Sequence, residues 1–265
     1  PFSMETAACD EEYEPSSEYD SSFALQIFAA REAVFKILAK ESLSIHEKLI
    51  VILDMGSKIQ QCINTDEYDN IKSVVNDYLK EGIAHTLDET RNLSDSGQFE
   101  DISLQQGIRQ ILYPYEEMEV LNPEWEVILK DIIDSLFEQM SDEEYNILNE
   151  EFGTYMVSRA YEYRQLLEYL VFRYFAKSIY DYDFLGKCQM LVTNFFVIRQ
   201  MDIIRWLDNH REYSFKDRMD VVHIFSRQVE YSEDNIENLY EDFIFDDIFK
   251  TDSLIAILWI DSENI

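Results

Sequence analysis

Proline and glycine are nearly missing from the second half of this chain, and that scarcity constrains the fold more than any motif does. No proline follows Pro123, and only Gly153 and Gly186 interrupt the stretch from there to Ile265. Sheets of short strands need turns roughly every 8–12 residues, and those turns draw on Gly, Pro, Asn and Asp. A long stretch without such breakers reads as helix. The chain is therefore predicted to be all-α, a multi-helix bundle of about nine or ten helices, given that helices average ~10–14 residues.

Periodicity and capping support this. Phe23, Ile27, Ala30, Val34, Ile37 and Leu38 recur at steps of three and four and make one apolar stripe. Ser44 with Glu47 and Ser141 with Glu144 form capping boxes, in which hydroxyl and carboxylate each satisfy an orphan amide. Ser214 with Asp217 is a shorter relative. Asn122 before Pro123 combines a capping side chain with a residue that needs no amide donor in the first turn. A third helix is expected over residues 65–81, ended by Gly82, and residues 85–99 read as the clearest long loop. Asp246 to Ile260 reads as a terminal apolar helix that docks on the bundle, or on a neighbouring chain if Trp259 is exposed.

Residues 1–22 are rich in Glu, Asp, Ser and Tyr and read as an acidic flexible lead-in. Residues 23–265 then form a single helical domain, with room for two subdomains meeting near 85–122. No fixed repeat argues for a solenoid.

Charge limits the partners. With 22 Lys and Arg against 54 Asp and Glu, the net charge is -32. Nucleic-acid backbones and anionic membranes bind through Lys and Arg and are excluded here, whereas lysine-rich partners are attracted. The longest uncharged run, ending at Ile198, is too short to span a bilayer, and the first residues lack a basic-then-apolar signal. A soluble cytoplasmic protein is expected. Its cations are also unevenly spread. Residues 164–227 carry ten Lys and Arg against eight Asp and Glu, a net of +2, which leaves -34 for the remainder.

Within that stretch Arg173, Lys177 and Asp181 follow at four-residue steps, and Arg199, Asp202 and Arg205 at three-residue steps. One reading makes these ladders intramolecular ion pairs that stitch two long helices together. The other gathers Arg173, Tyr174, Lys177, Asp181, Arg199, Asp202 and Arg205 into a polar pocket or domain interface that takes an anionic group.

Other chemistry is sparse. Cys9, Cys62 and Cys188 are far apart, so neither a zinc ribbon nor a disulfide framework is predicted. The scattered glycines make neither GxGxxG nor a Walker loop. His46, His85, His210 and His223 lack ligand spacing and are expected at the surface or at caps. Tyr155, Tyr161, Tyr163, Tyr169, Tyr174, Tyr180 and Tyr182 crowd one region, either as core-boundary residues or as the lining of a channel for a lysine chain.

The run LLEYLVFRYFAKSIYDYDFLGKCQMLVTNFFVIRQMDIIRWLDN, followed by VVHIFSRQVEYSEDNIENL, resembles the C-terminal helical part of bacterial flagellin lysine-N-methylases. The earlier REAVFKILAKESLSIHEKLIVIL is similar to the first helical hairpin of that family. The resemblance implies a protein that transfers a methyl group from S-adenosylmethionine to lysine side chains of flagellin. It also implies an N-terminal cysteine segment of CxxxCxxCC type that binds metal as an iron–sulfur cluster. That segment is missing here, and with Pro1 at the start the expectation is a C-terminal piece, inactive alone and without its own cofactor. The implied partners are flagellin or another lysine-rich protein, and the missing metal-binding domain. No catalytic residue carries over. Two other classes fit the residues: a non-enzymatic acidic module that binds basic proteins, and a bundle holding a small anion near Arg173 and Arg199.

Overall fold

The structure is a computed structural model that describes residues 21–95 and 102–263. All but the last two residues of the predicted acidic lead-in lie outside the described residues. The described residues contain no strand. They form thirteen α-helices, several joined end to end through tighter 3-10 or wider π turns, giving ten continuous helical runs.

The first two helices are α1 (Ser21–Leu38) and α2 (Ile45–Asn64). All six residues of the predicted α1 stripe are buried. The Ser44 box opens α2, with Ser44 Oγ accepting from the Glu47 amide at 3.2 Å and the Glu47 carboxylate accepting from the Ser44 amide at 2.7 Å. After α3 (Ile71–Asp77) the sequence expectation fails. Gly82 does not end the helix, and the backbone passes through a π turn at Tyr78–Gly82 into α4 (Ile83–Asp95), where the sequence predicts a loop. Tertiary contacts supply what the local pattern lacks: buried Thr86 donates to Asp54 of α2 at 2.8 Å, and Thr90 accepts from the Trp259 indole at 3.1 Å.

The middle of the chain follows its caps. Helix α5 (Leu104–Glu116) opens on a Ser103–Gln106 box, α6 (Pro123–Ile132) on Asn122, and α7 (Asp142–Met156) on Ser141. Helices α8 (Ala160–Tyr174) and α9 (Ser178–Asp181) are separated by a 3-10 turn. Then comes α10 (Phe184–Asp208), 25 residues long and buried over most of its circumference. It packs against α2, α5, α6 and α8, and against α11 (Phe215–Phe225), so the bundle is organised around it. A helix buried all round must satisfy its polar side chains internally, and this one does so in part through Tyr115, which donates to Asn194 at 2.7 Å.

Helix α12 (Glu233–Phe245) and α13 (Thr251–Glu263) complete the fold. Trp259 of α13 is buried against α4, so this helix docks within the chain and not through an exposed indole. The segment leading to α6 is tied down by Gln228, which donates to the Glu119 carbonyl at 2.8 Å and accepts from the amides of Leu121 and Asn122. No helix among the described residues is long and apolar enough to cross a membrane.

Candidate functional site

The chemistry lies along α10, where successive polar residues face different neighbours. Residues three apart on a helix differ by only about 60° around the axis, yet a fully surrounded helix meets a new partner within that angle.

Arg199, 3 % exposed, donates to Asn149 Oδ1 at 2.7 Å and to the Asn149 carbonyl at 3.2 Å, and lies 3.4 Å from Asp261 of α13. Asp261 also lies 2.7 Å from Nε2 of His46, on the buried face of α2. Burial works to raise the Asp261 carboxyl, but Arg199, His46 and Asn149 outweigh it and hold it down at about 2. The sequence puts His46 at the surface or at a cap; it is buried instead, because its position one residue into α2 points at α13. The other three histidines are exposed.

One turn further, Asp202 is wholly buried and accepts from Tyr163 at 2.6 Å, from Tyr213, and from Arg218 at 2.5 Å. Arg218 also donates to Glu162 at 3.1 Å, and Glu162 in turn holds Arg159 at 2.7 Å. Burial pushes the Asp202 carboxyl up against the pull of Arg218 and the two phenols. Burial would lower Arg218, but Asp202, Tyr163 and Tyr213 keep its guanidinium charged beyond the ordinary range. Breaking such a buried pair from one side costs ~3–5 kcal/mol, so these residues bind the helices to one another.

The seven residues singled out in the sequence do not meet in one cavity. Arg173 is exposed and pairs at 2.9 Å with Glu230, and both it and Lys177 sit over the Tyr174 ring, at 5.5 and 5.4 Å. Asp181 turns away and pairs at 2.8 Å with Lys187, whose side chain is 1 % exposed. The ladders do not pair within themselves, because the 3-10 turn after Tyr174 breaks the first face and packing sends Arg199 and Asp202 to other helices. Arg205 stands apart, at the edge of a groove with α6 and α11. Sequence spacing misses Asn149, Glu162, Arg218, Lys187 and Asp261, each charged or amide-bearing on a buried face. A signal is present at Asp261, a lone carboxylate ending the apolar run of α13. The tyrosines likewise divide, with Tyr163 and Tyr174 buried and the other five exposed.

A cavity of about 180 Å³ lies beside Arg199, walled by Phe152, Tyr163 and Phe195 and reaching His46. S-adenosylmethionine does not fit it: the volume is below the ~300–1,000 Å³ of small-molecule sites, and no carboxylate lines it to meet the cofactor's cationic groups. An iron–sulfur cluster does not fit the described residues either. Cys62 and Cys188 are both buried free thiols, and no group of three or more His, Cys, Asp or Glu among the described residues could hold a metal.

Fold and site together define an all-α, strongly acidic protein in which the buried Arg199, Asp202 and Arg218 are committed to ion pairs between helices. The family described as FliB lysine N-methylase C-terminal domain matches residues 31–257, and the chain belongs to that family. No curated protein and no solved structure matches it.

Proposed function

We propose that this chain is the substrate-recruiting helical region of a cytoplasmic protein that methylates lysine side chains of flagellin with S-adenosylmethionine. The observation that carries the reading is the family match over 31–257, and the charge of -32 gives it a mechanism. An anionic surface raises the local concentration of a lysine-bearing partner and speeds encounter, an effect that salt screens over ~8–10 Å. Recruitment and chemistry need different surroundings, since carboxylates hold lysine as ammonium whereas the attacking amine must be neutral. The transfer step therefore belongs to another part of the enzyme, where the family implies a metal-binding cysteine segment. No step of it is assigned to residues of this chain.

Titrating purified flagellin into the chain by calorimetry tests the reading. Binding is expected at low ionic strength, weakening as salt rises, and tighter than for lysozyme as a basic control. Absence of flagellin binding at low salt overturns recruitment. Equal binding of both proteins favours the non-enzymatic module for basic proteins instead. Addition of radiolabelled S-adenosylmethionine to the protein that contains this region should label flagellin lysines, and failure to label removes the methylase assignment.

A further inference from the structure

Lys48 stands alone among the buried charges. It is 7 % exposed and lies in the second turn of α2, where its amide donates to the Ser44 carbonyl at 3.1 Å. Every other buried histidine, lysine, arginine or carboxylate among the described residues holds an opposite charge, from His46 with Asp261 to Arg218 with Asp202. The Lys48 amine makes no hydrogen bond or ion pair with a described residue. Its nitrogen is nevertheless not among the partnerless atoms closed off from solvent, so a small solute reaches it.

A lysine is almost never buried unpaired, because an isolated ammonium in apolar surroundings gives up its proton instead. Burial lowers this amine from its ordinary value, and Arg164 of α8 lowers it further, against Glu168, Glu41 and Glu47. The N-terminal end of α2 acts in the same direction as Arg164. Two of the opposing carboxylates are engaged elsewhere: Glu47 accepts from the Ser44 amide at 2.7 Å, and Glu168 lies 3.7 Å from Arg164. That second contact is too long for a hydrogen bond, so Arg164 keeps unused donors. What the site lacks is an anion at the Lys48 nitrogen.

We propose that Lys48 is a site of reversible carboxylation, where a neutral amine takes up CO2 as a carbamate that pairs with Arg164 across α2 and α8. The nitrogen lone pair forms the N–C bond, one C=O pair of CO2 moves onto oxygen, and the nitrogen releases a proton to water. A buried group that would be a cation thereby becomes an anion. Arg164 and the start of α2, which disfavour the ammonium, favour the carbamate. Size and charge select this electrophile. Little of Lys48 is exposed, which suits a molecule as small as CO2, and an aldehyde would give an imine that offers Arg164 no anion.

The test equilibrates the chain with carbon-13-labelled bicarbonate at about pH 8, below the ordinary lysine value. Carbamates are then trapped with triethyloxonium ion and the ethoxycarbonyl adducts mapped by peptide mass spectrometry. Exposed Lys72, Lys130 and Lys216 serve as controls in the same molecule. Lys48 is expected to carry the most adduct, and Arg164→Gln to lower its yield roughly threefold, as for one partly exposed ion pair. In bicarbonate, compared with chloride at equal pH and ionic strength, the thermal midpoint of the chain should rise, whereas those of Lys48→Arg and Lys48→Met should not. Adduct at Lys48 no greater than at the exposed lysines overturns the proposal. A yield unchanged by Arg164→Gln removes the pairing that the carbamate is expected to make, and a bicarbonate shift that persists in Lys48→Met assigns the effect to another amine; either result also overturns it.

Discussion

Replacing Asp261 by Asn should expose how much the buried ion cluster contributes, because the change keeps the shape and deletes only the charge. Asp261 holds Arg199 at 3.4 Å and His46 at 2.7 Å, and all three side chains are at most 5 % exposed. Its carboxyl lies at about 2 in the fold against an ordinary 3.8. At ~1.36 kcal/mol for each tenfold change in proton affinity, holding the carboxyl that far down contributes about 2 kcal/mol of stabilisation. Arg199 would retain Asn149 but lose its counter-charge, and uncompensated buried charge costs ~3–5 kcal/mol. A loss of about 3 kcal/mol at neutral pH is expected, read as a urea midpoint lowered by roughly 1 M if the slope is ~3 kcal/mol/M. The pH dependence provides a second check. A depressed carboxyl contributes fully above its unfolded value, near 4, and its contribution disappears as pH falls towards about 2. The gap between wild type and Asp261→Asn should accordingly be constant above about pH 5 and shrink below about pH 4. A gap under about 1 kcal/mol, or one that does not narrow with acid, would refute the reasoning.

Two further outcomes follow from the packing of α2 on α10. A Cβ at Gly56 would sit 2.6 Å from the Cys188 sulfur and 3.2 Å from its Cβ. Gly56→Ala should thus destabilise by about 1 kcal/mol: overpacking costs ~1–3 kcal/mol and exceeds the ~1 kcal/mol that Ala gains in a helix. Chemical denaturation of the single and the Gly56→Ala, Cys188→Ala double variant tests this, since the second change should restore part of the loss. Cys188 itself is fully buried, and desolvation pushes its thiol well above the ordinary value. Peptide mapping after iodoacetamide treatment should find Cys188 unmodified in the native protein and alkylated in urea; rapid native labelling would show that α10 is not enclosed as described.

What can be read from the amino-acid order is local. The α1 stripe, the boxes at Ser44, Ser141 and Ser214, and the Asn122–Pro123 start all depend on contacts within about four residues, the reach of one helical turn. They appear as expected. The family resemblance likewise lies in the residue pattern itself, and the match over 31–257 bears it out. The same local logic fails at Gly82 and α4, where the helix persists because Thr86 and Thr90 find partners in α2 and α13.

The order of residues alone determined that this chain would be helical and acidic, with its cations concentrated between Arg164 and Arg227. Only the tertiary structure decided whom those cations would meet. Arg199 pairs across 62 positions with Asp261, and Asp261 across 215 with His46, while Arg205, three residues from Asp202, is left facing a groove. The reason is physical: spacing along a helix sets which side chains share a face, but an ion pair forms at a few ångströms, and which element comes that close depends on packing of the whole bundle.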